Sequence, residues 1–135
     1  MRWTGALLVA IGLLPVAGAA LAQAPYPSRP ITMVVGFAPG GGTDTASRII
    51  AKRLGENLGQ TVLVENKPGA GGNIATDLVV KAAPDGHTIL LASVGSMAIT
   101  PHLPPKPAYD PLRDLAPISM AVRSEERRVG KECRL

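Results

Sequence analysis

Between Ile31 and Val122, short apolar runs alternate with stretches in which apolar positions recur every three or four residues. Ile31 to Val35 (ITMVV) is β-rich and reads as a short buried strand. Ala46, Ile49, Ile50, Leu54 and Leu58 follow at helical spacing, with Arg48, Lys52 and Arg53 mostly off that stripe, which predicts an amphipathic helix. Gly59 is its stop signal. Gly55, inside the pattern, weakens the helix by roughly 1 kcal/mol relative to alanine. Thr61 to Val64 reads as a second strand, and Ile74, Leu78 and Ala82 as the apolar side of a second helix. Ala83 to Gly86 (APDG) is a turn, since Pro84 presets φ and Gly86 tolerates positive φ. Thr88 to Ala92 is a third strand. Asp110 and Pro111 look like a helix cap followed by proline at the first helical position. Ala116 to Val122 reads as the start of a fourth strand.

Strand, loop and helix therefore repeat, and the economical fold class is α/β with a mainly parallel sheet and right-handed crossovers. In such sheets ligands sit beyond the carboxyl ends of the strands. All three segments at those ends are rich in glycine and small polar residues: FAPGGGTD (Phe37 to Asp44), NKPGAGGN (Asn66 to Asn73) and SVGSMAIT (Ser93 to Thr100). Glycine lets a backbone approach a ligand closely, and each helix start offers unpaired N–H groups with a partial positive charge. The three loops are expected to converge on one anion.

The termini change the charge picture. Met1 to Ala24 reads as a secretory signal, with Arg2 at its start, an uncharged run from Ala6 to Leu14, and small-x-small cleavage sites near Ala20 to Ala24. The other reading is an uncleaved anchor, but Pro15 breaks the run short of the roughly 20 residues a bilayer needs. Export to the periplasm follows. Residues 123–135 (RSEERRVGKECRL) carry eight charges in thirteen residues and no apolar period. The stretch resembles a translated sequencing adapter and reads as a non-native tail. It contains Cys133, the one cysteine, so no redox or catalytic role is drawn from that thiol. Between Gln23 and Val122 there are eight Lys and Arg against seven Asp and Glu. The basic character of the whole chain thus comes largely from its ends, and nucleic acid loses its main support as a partner.

The loop chemistry narrows further by exclusion. Walker A requires a lysine that nothing after Gly36 or Gly40 supplies, and the dinucleotide fingerprint fails because Gly40 and Gly42 lead to Thr45. His87 and His102 are the only histidines, so no metal spacing exists and neither metal nor cofactor is expected. His87 reads as packed or solvated. Ser93 and Ser96 have no base partner by spacing, so no catalytic set is assigned and no enzyme activity is expected. Asp44 reads first as a cap of the helix N–H groups. A second reading has it acting on the ligand indirectly, by orienting water, a hydroxyl or a ligand amine. The Thr43 hydroxyl can donate to a carboxylate or simply stabilise its loop.

The segments YPSRPITMVVGFAPGGGTDTASRIIAKRL, GQTVLVENKPGAGGNIATDLVVKAAPDGHTILLASVGSMAITP and YDPLRDLAPIS resemble the Bug-type periplasmic receptors of tripartite tricarboxylate transporters over Tyr26 to Val122. Gly36 stands where proline is common in that family and Gly55 is an unusual helix residue; neither is expected at the site. The resemblance implies a type II periplasmic-binding-protein-like lobe at 25–122, with a second lobe closing over the ligand by a hinge. It implies a small organic carboxylate as ligand and inner-membrane permease subunits as partners. Ala38, Gly41, Thr43 and Ser93 are the expected direct contacts, with Gly42, Asp44, Asn73, Gly95 and Ser96 behind them. Two other readings are an exported α/β enzyme acting on a carboxylated or phosphorylated small molecule, and a ligand-sensing receptor for a signalling partner.

Overall fold

A computed structural model describes residues 25–123. The expected signal at 1–24 lies outside them, as does the expected tail beyond Arg123.

Three parallel strands form one sheet: β1 (Ile31–Val35), β2 (Val62–Asn66) and β3 (Thr88–Leu91), in the order β2-β1-β3. Met33 sits opposite Val64 on one side and Ile89 on the other. Helix α1 (Gly42–Leu58) links β1 to β2, and α2 (Asn73–Val80) links β2 to β3. The order reverses at β1, so right-handed crossovers carry the two helices over opposite faces of the sheet. Neighbouring residues of β1 bear this out. Met33 and Val34 point to opposite faces, and they are only 3% and 0% exposed. Helix α1 packs on β1 and β2, and α2 on β3 and β1. Both helices leave the carboxyl end of the sheet, where the three glycine-bearing loops gather.

Helix α1 begins at Gly42, earlier than its apolar stripe, and ends where predicted. Gly59 is left-handed (φ 65°), and the N–H groups of Gly59 and Gln60 both return to the Gly55 carbonyl. This is the glycine-terminated helix end in which six residues close one ring. It also explains Gly55. A Cβ there would lie 3.0 Å from the Gln60 carbonyl oxygen, so the returning chain occupies the space a side chain needs.

The inward face of α1 is in part as expected, with Ala46, Ile50, Leu54 and Leu58 half-buried, while that of α2 differs. The buried residues of α1 are Asp44, Ser47 and Ala51, while Ile49 is 62% exposed. Those of α2 are Ala75 and Thr76, while Ile74 and Leu78 are exposed. Small side chains face the sheet and bring the helices close to it. The two buried hydroxyls are satisfied locally: Ser47 donates to the Asp44 carbonyl (2.7 Å) and Thr76 to the Gly72 carbonyl (3.0 Å).

Two further expectations are corrected. The segment after β3 is not an open loop but winds through a wide helical turn, Gly95–Ile99, and a tight one, Thr100–His102. Ala116 to Val122 forms no strand among the described residues; Ile118 and Met120 stand 84% and 76% exposed, with no ladder beside them. The cap before α3 (Pro111–Asp114) is as predicted, since Asp110 Oδ1 accepts the Leu112 N–H at 3.0 Å. His87 is buried, stacks edge-on with Tyr26 at 5.1 Å, and is wedged against the Asp85 backbone.

Candidate functional site

The loops following β1, β2 and β3 meet at their roots. A Cβ on Gly36 would lie 2.6 Å from the Gly72 Cα, so the first and second loops touch backbone to backbone. A Cβ on Gly72 would lie 3.7 Å from Ser96 Oγ and 3.8 Å from Ser93 Oγ, which places the third loop beside the second. Gly72 has φ 97°, a conformation that glycine adopts without strain.

The tip of the first loop is held from beneath by Asp44. Its N-cap is Gly41, which has no side chain with which to cap the helix. The first intrahelical bond runs from the Thr45 N–H to the Gly41 carbonyl (2.9 Å), so the N–H groups of Gly42, Thr43 and Asp44 precede the ladder. Asp44 is the third helical residue and reaches back, accepting the Gly40 N–H at 2.9 Å. The same oxygen accepts Arg48 Nε at 2.9 Å, one helical turn on. The other accepts Asn66 Nδ2 at 2.9 Å. Asn66 also donates to the Phe37 carbonyl at 3.0 Å, so the end of β2 grips both ends of the first loop. Hydrogen bonds from Arg48 first, then from Gly40 and Asn66, hold the Asp44 carboxyl well below the usual carboxylate range despite its burial. Its charge is matched by Arg48, which removes the repulsion an unpaired carboxylate would present to an incoming anion.

Helix α2 begins differently. A tight turn, Ala70–Gly72, runs directly into it and the Asn73 N–H donates to the Ala70 carbonyl, so the first donor of α2 is already satisfied; its N-cap, Gly72, is buried and has no side chain to cap the helix. Behind it, Ser93 Oγ accepts the Ser96 N–H (3.3 Å), and Ser96 Oγ donates to the Ser93 carbonyl (3.2 Å). The phenol oxygen of Tyr109 lies 2.9 Å from Asn73 Oδ1 and 2.8 Å from the Ser96 carbonyl oxygen.

Residues 46–130 match the family described as tripartite tricarboxylate transporter family receptor. The chain belongs to that receptor family. It is 49% identical over 96 residues to Protein BugT of Bordetella pertussis, covering 70% of this chain and 29% of that protein. Among solved structures it is similar to periplasmic binding protein BugD, at 48% identity and TM-score 0.63, covering 66% of this chain and 29% of that one. It is also similar to MatC from Rhodopseudomonas palustris with bound malate, at 45% identity and TM-score 0.63, covering 66% of this chain and 30% of that one. The chain thus spans about three-tenths of the length of each of these three proteins.

The nine expected site residues fall into two groups. Ala38, Gly41, Gly42, Thr43 and Asp44 lie at the first loop and the start of α1; Asn73, Ser93, Gly95 and Ser96 lie where the second and third loops meet. The Gly36–Gly72 contact and the Asn66–Phe37 bond join the groups. Ala38, Gly41 and Gly42 are exposed and Thr43, Asn73, Ser93 and Gly95 half-buried, while Asp44 and Ser96 are buried and support the loops from within. Gly36 was expected to stand away from the site and instead forms its seam. Arg48, Asn66 and Tyr109 were not among the expected site residues. The Asp44–Arg48 spacing of four was a readable signal for one of them. An open cleft of about 430 Å3, lined by Ala51, Gly55, Gly59, Gln60, Thr61 and Val62, lies at the opposite end of β2 from these loops. No cluster of three or more His, Cys, Asp or Glu that could hold a metal occurs among the described residues.

Proposed function

We propose that this protein is a periplasmic solute receptor that binds a small organic carboxylate and delivers it to the permease subunits of a tripartite tricarboxylate transporter. The observation that carries the reading is the start of α1, which begins on the exposed Gly41 without a side-chain cap at the ligand end of a parallel sheet. It leaves the N–H groups of Gly42, Thr43 and Asp44 ahead of the helical ladder for an anion, with a helix-end charge effect of typically 0.3–1 kcal/mol. The exposed Gly41 and Gly42 let a carboxylate approach those donors, and the Thr43 hydroxyl, which has no protein partner among the described hydrogen bonds, adds one more. Asp44 paired with Arg48 keeps the loop rigid without presenting net negative charge. The malate bound to the similar MatC makes a dicarboxylate the first ligand class to test.

In the same reading residues 1–24 direct export and are removed, and residues 25–122 supply one wall of the site. Calorimetric titration with malate, other dicarboxylates, citrate, acidic amino acids and aromatic carboxylates tests the reading. In titrations of the receptor with both lobes present, saturable binding of one class supports it and indifference to all of them overturns it.

A further inference from the structure

Tyr109 is the only buried residue between Ser96 and Arg123 among those described, at 5% exposure. The chain on either side of it is open to solvent: Leu103 to Lys106 and Leu112 to Asp114 are all exposed. A buried phenol oxygen needs hydrogen-bond partners. Here they come from residues 36 and 13 positions upstream, the Asn73 side chain and the Ser96 carbonyl. One O–H proton serves one acceptor at a time, or the Asn73 amide turns over and donates to the phenol oxygen. In either arrangement the start of α2 and the third loop meet on a single atom.

We propose that Tyr109 is a positioning residue for the carboxylate site: through its hydroxyl it locks the Ser93–Ser96 turn against the start of α2. The proposal rests on the functional reading above and names a residue that acts through others. The linkage is short. Tyr109 holds the Ser96 carbonyl, the Ser96 N–H is held by Ser93 Oγ, and Ser93 Oγ faces Gly72, the N-cap of α2. Releasing the phenol therefore frees the turn that carries both serine hydroxyls facing the start of α2. Burial pushes the Tyr109 hydroxyl up from its ordinary value, and outweighs the opposing effect of the neighbouring Thr76. The group accordingly stays protonated and able to donate across neutral pH.

The test compares Tyr109→Phe, Asn73→Ala and the double variant in the purified protein, by urea unfolding, by titration with malate, and by amide hydrogen exchange without ligand. Tyr109→Phe keeps the ring and its packing. The expected result is a cooperative unfolding transition, malate binding weakened roughly two- to tenfold, as loss of one net hydrogen bond implies, and faster exchange at Ser96 and Met97. The double variant should weaken binding by less than the two singles combined, because they break one linkage. If Tyr109→Phe lowers stability yet leaves malate affinity and exchange in the third loop unchanged, Tyr109 only fills space and the proposal fails. A wild-type protein that ignores malate and every other carboxylate overturns the functional reading instead. The exchange comparison then decides the lock by itself: unchanged protection at Ser96 and Met97 rejects it, and lost protection upholds it.

Discussion

Gly36 and Gly72 touch backbone to backbone, with 2.6 Å between the place of a Gly36 Cβ and the Gly72 Cα. The contact joins the end of β1 to the loop that starts α2, and so fixes how far apart the starts of α1 and α2 lie. Gly36→Ala should cost about 1–3 kcal/mol through overpacking, because backbone rather than a flexible side chain must yield. Urea unfolding measures it. A neutral result would mean that the two loops separate at little cost.

The carboxylate of Asp44 sets a pH dependence whose sign is fixed. Its folded value is depressed, so its contribution to stability is complete above the ordinary unfolded value near 3.9 and is lost as pH falls below it. Asp44→Asn should be less stable than the parent at pH 7 and show a flatter loss of stability between pH 5 and pH 3, by urea midpoints at each pH. Asp85 is also depressed, by the His87 N–H first and then by Arg29, so part of the acid sensitivity should survive in the variant. Equal slopes for variant and parent would show that the Arg48, Gly40 and Asn66 bonds do not persist in solution.

At the far end of α1, helix propensity and local geometry disagree about Gly55. Propensity alone favours Gly55→Ala by about 1 kcal/mol. The Gln60 carbonyl, 3.0 Å from the new Cβ, opposes it. The expected outcome is no gain in unfolding midpoint, and a net loss if the cap cannot shift. Gly59→Ala should lose about 1 kcal/mol, since its φ of 65° is left-handed. A rise in stability for Gly55→Ala would show that the helix end relaxes freely.

What the sequence made legible follows the range of the forces involved. The span Ile31–Val35, the stop at Gly59 and the cap at Asp110 depend on residues within one turn of each other, and all appear as read. The face of α1 did so only in part, and that of α2 did not. Apolar periodicity counts Ile49, Ile74 and Leu78 as inward, but the close approach of helix to sheet selects Ser47, Ala51 and Ala75, and size decides over hydrophobicity. Of the site, the glycine loops were readable because their chemistry is local. Asn66 and Tyr109 were not, because each acts on groups 13 or more positions away. The mistaken fourth strand shows the same limit: Ile118, Met120 and Val122 alternate as a strand does, but pairing needs a neighbour that alternation does not supply.

Gly42 separates stability from binding. Apart from its chain neighbours and the backbone of its own helix, no atom lies within 4 Å of where its Cβ would be, and its φ is not left-handed. It occupies the first position of α1, where alanine is preferred over glycine. Gly42→Ala should therefore raise stability by about 0.4–1 kcal/mol, chiefly by restricting the unfolded chain. The open space that makes the substitution harmless to the fold is the space a carboxylate needs to reach the N–H groups of Gly42, Thr43 and Asp44. The same variant should bind malate several-fold more weakly while melting at a higher temperature. That combination cannot arise from general destabilisation. If stability rises and affinity is unchanged, the ligand does not approach this helix start, and the role proposed for Gly41, Gly42 and Thr43 must be abandoned in favour of the Gly72–Ser93 side of the cluster.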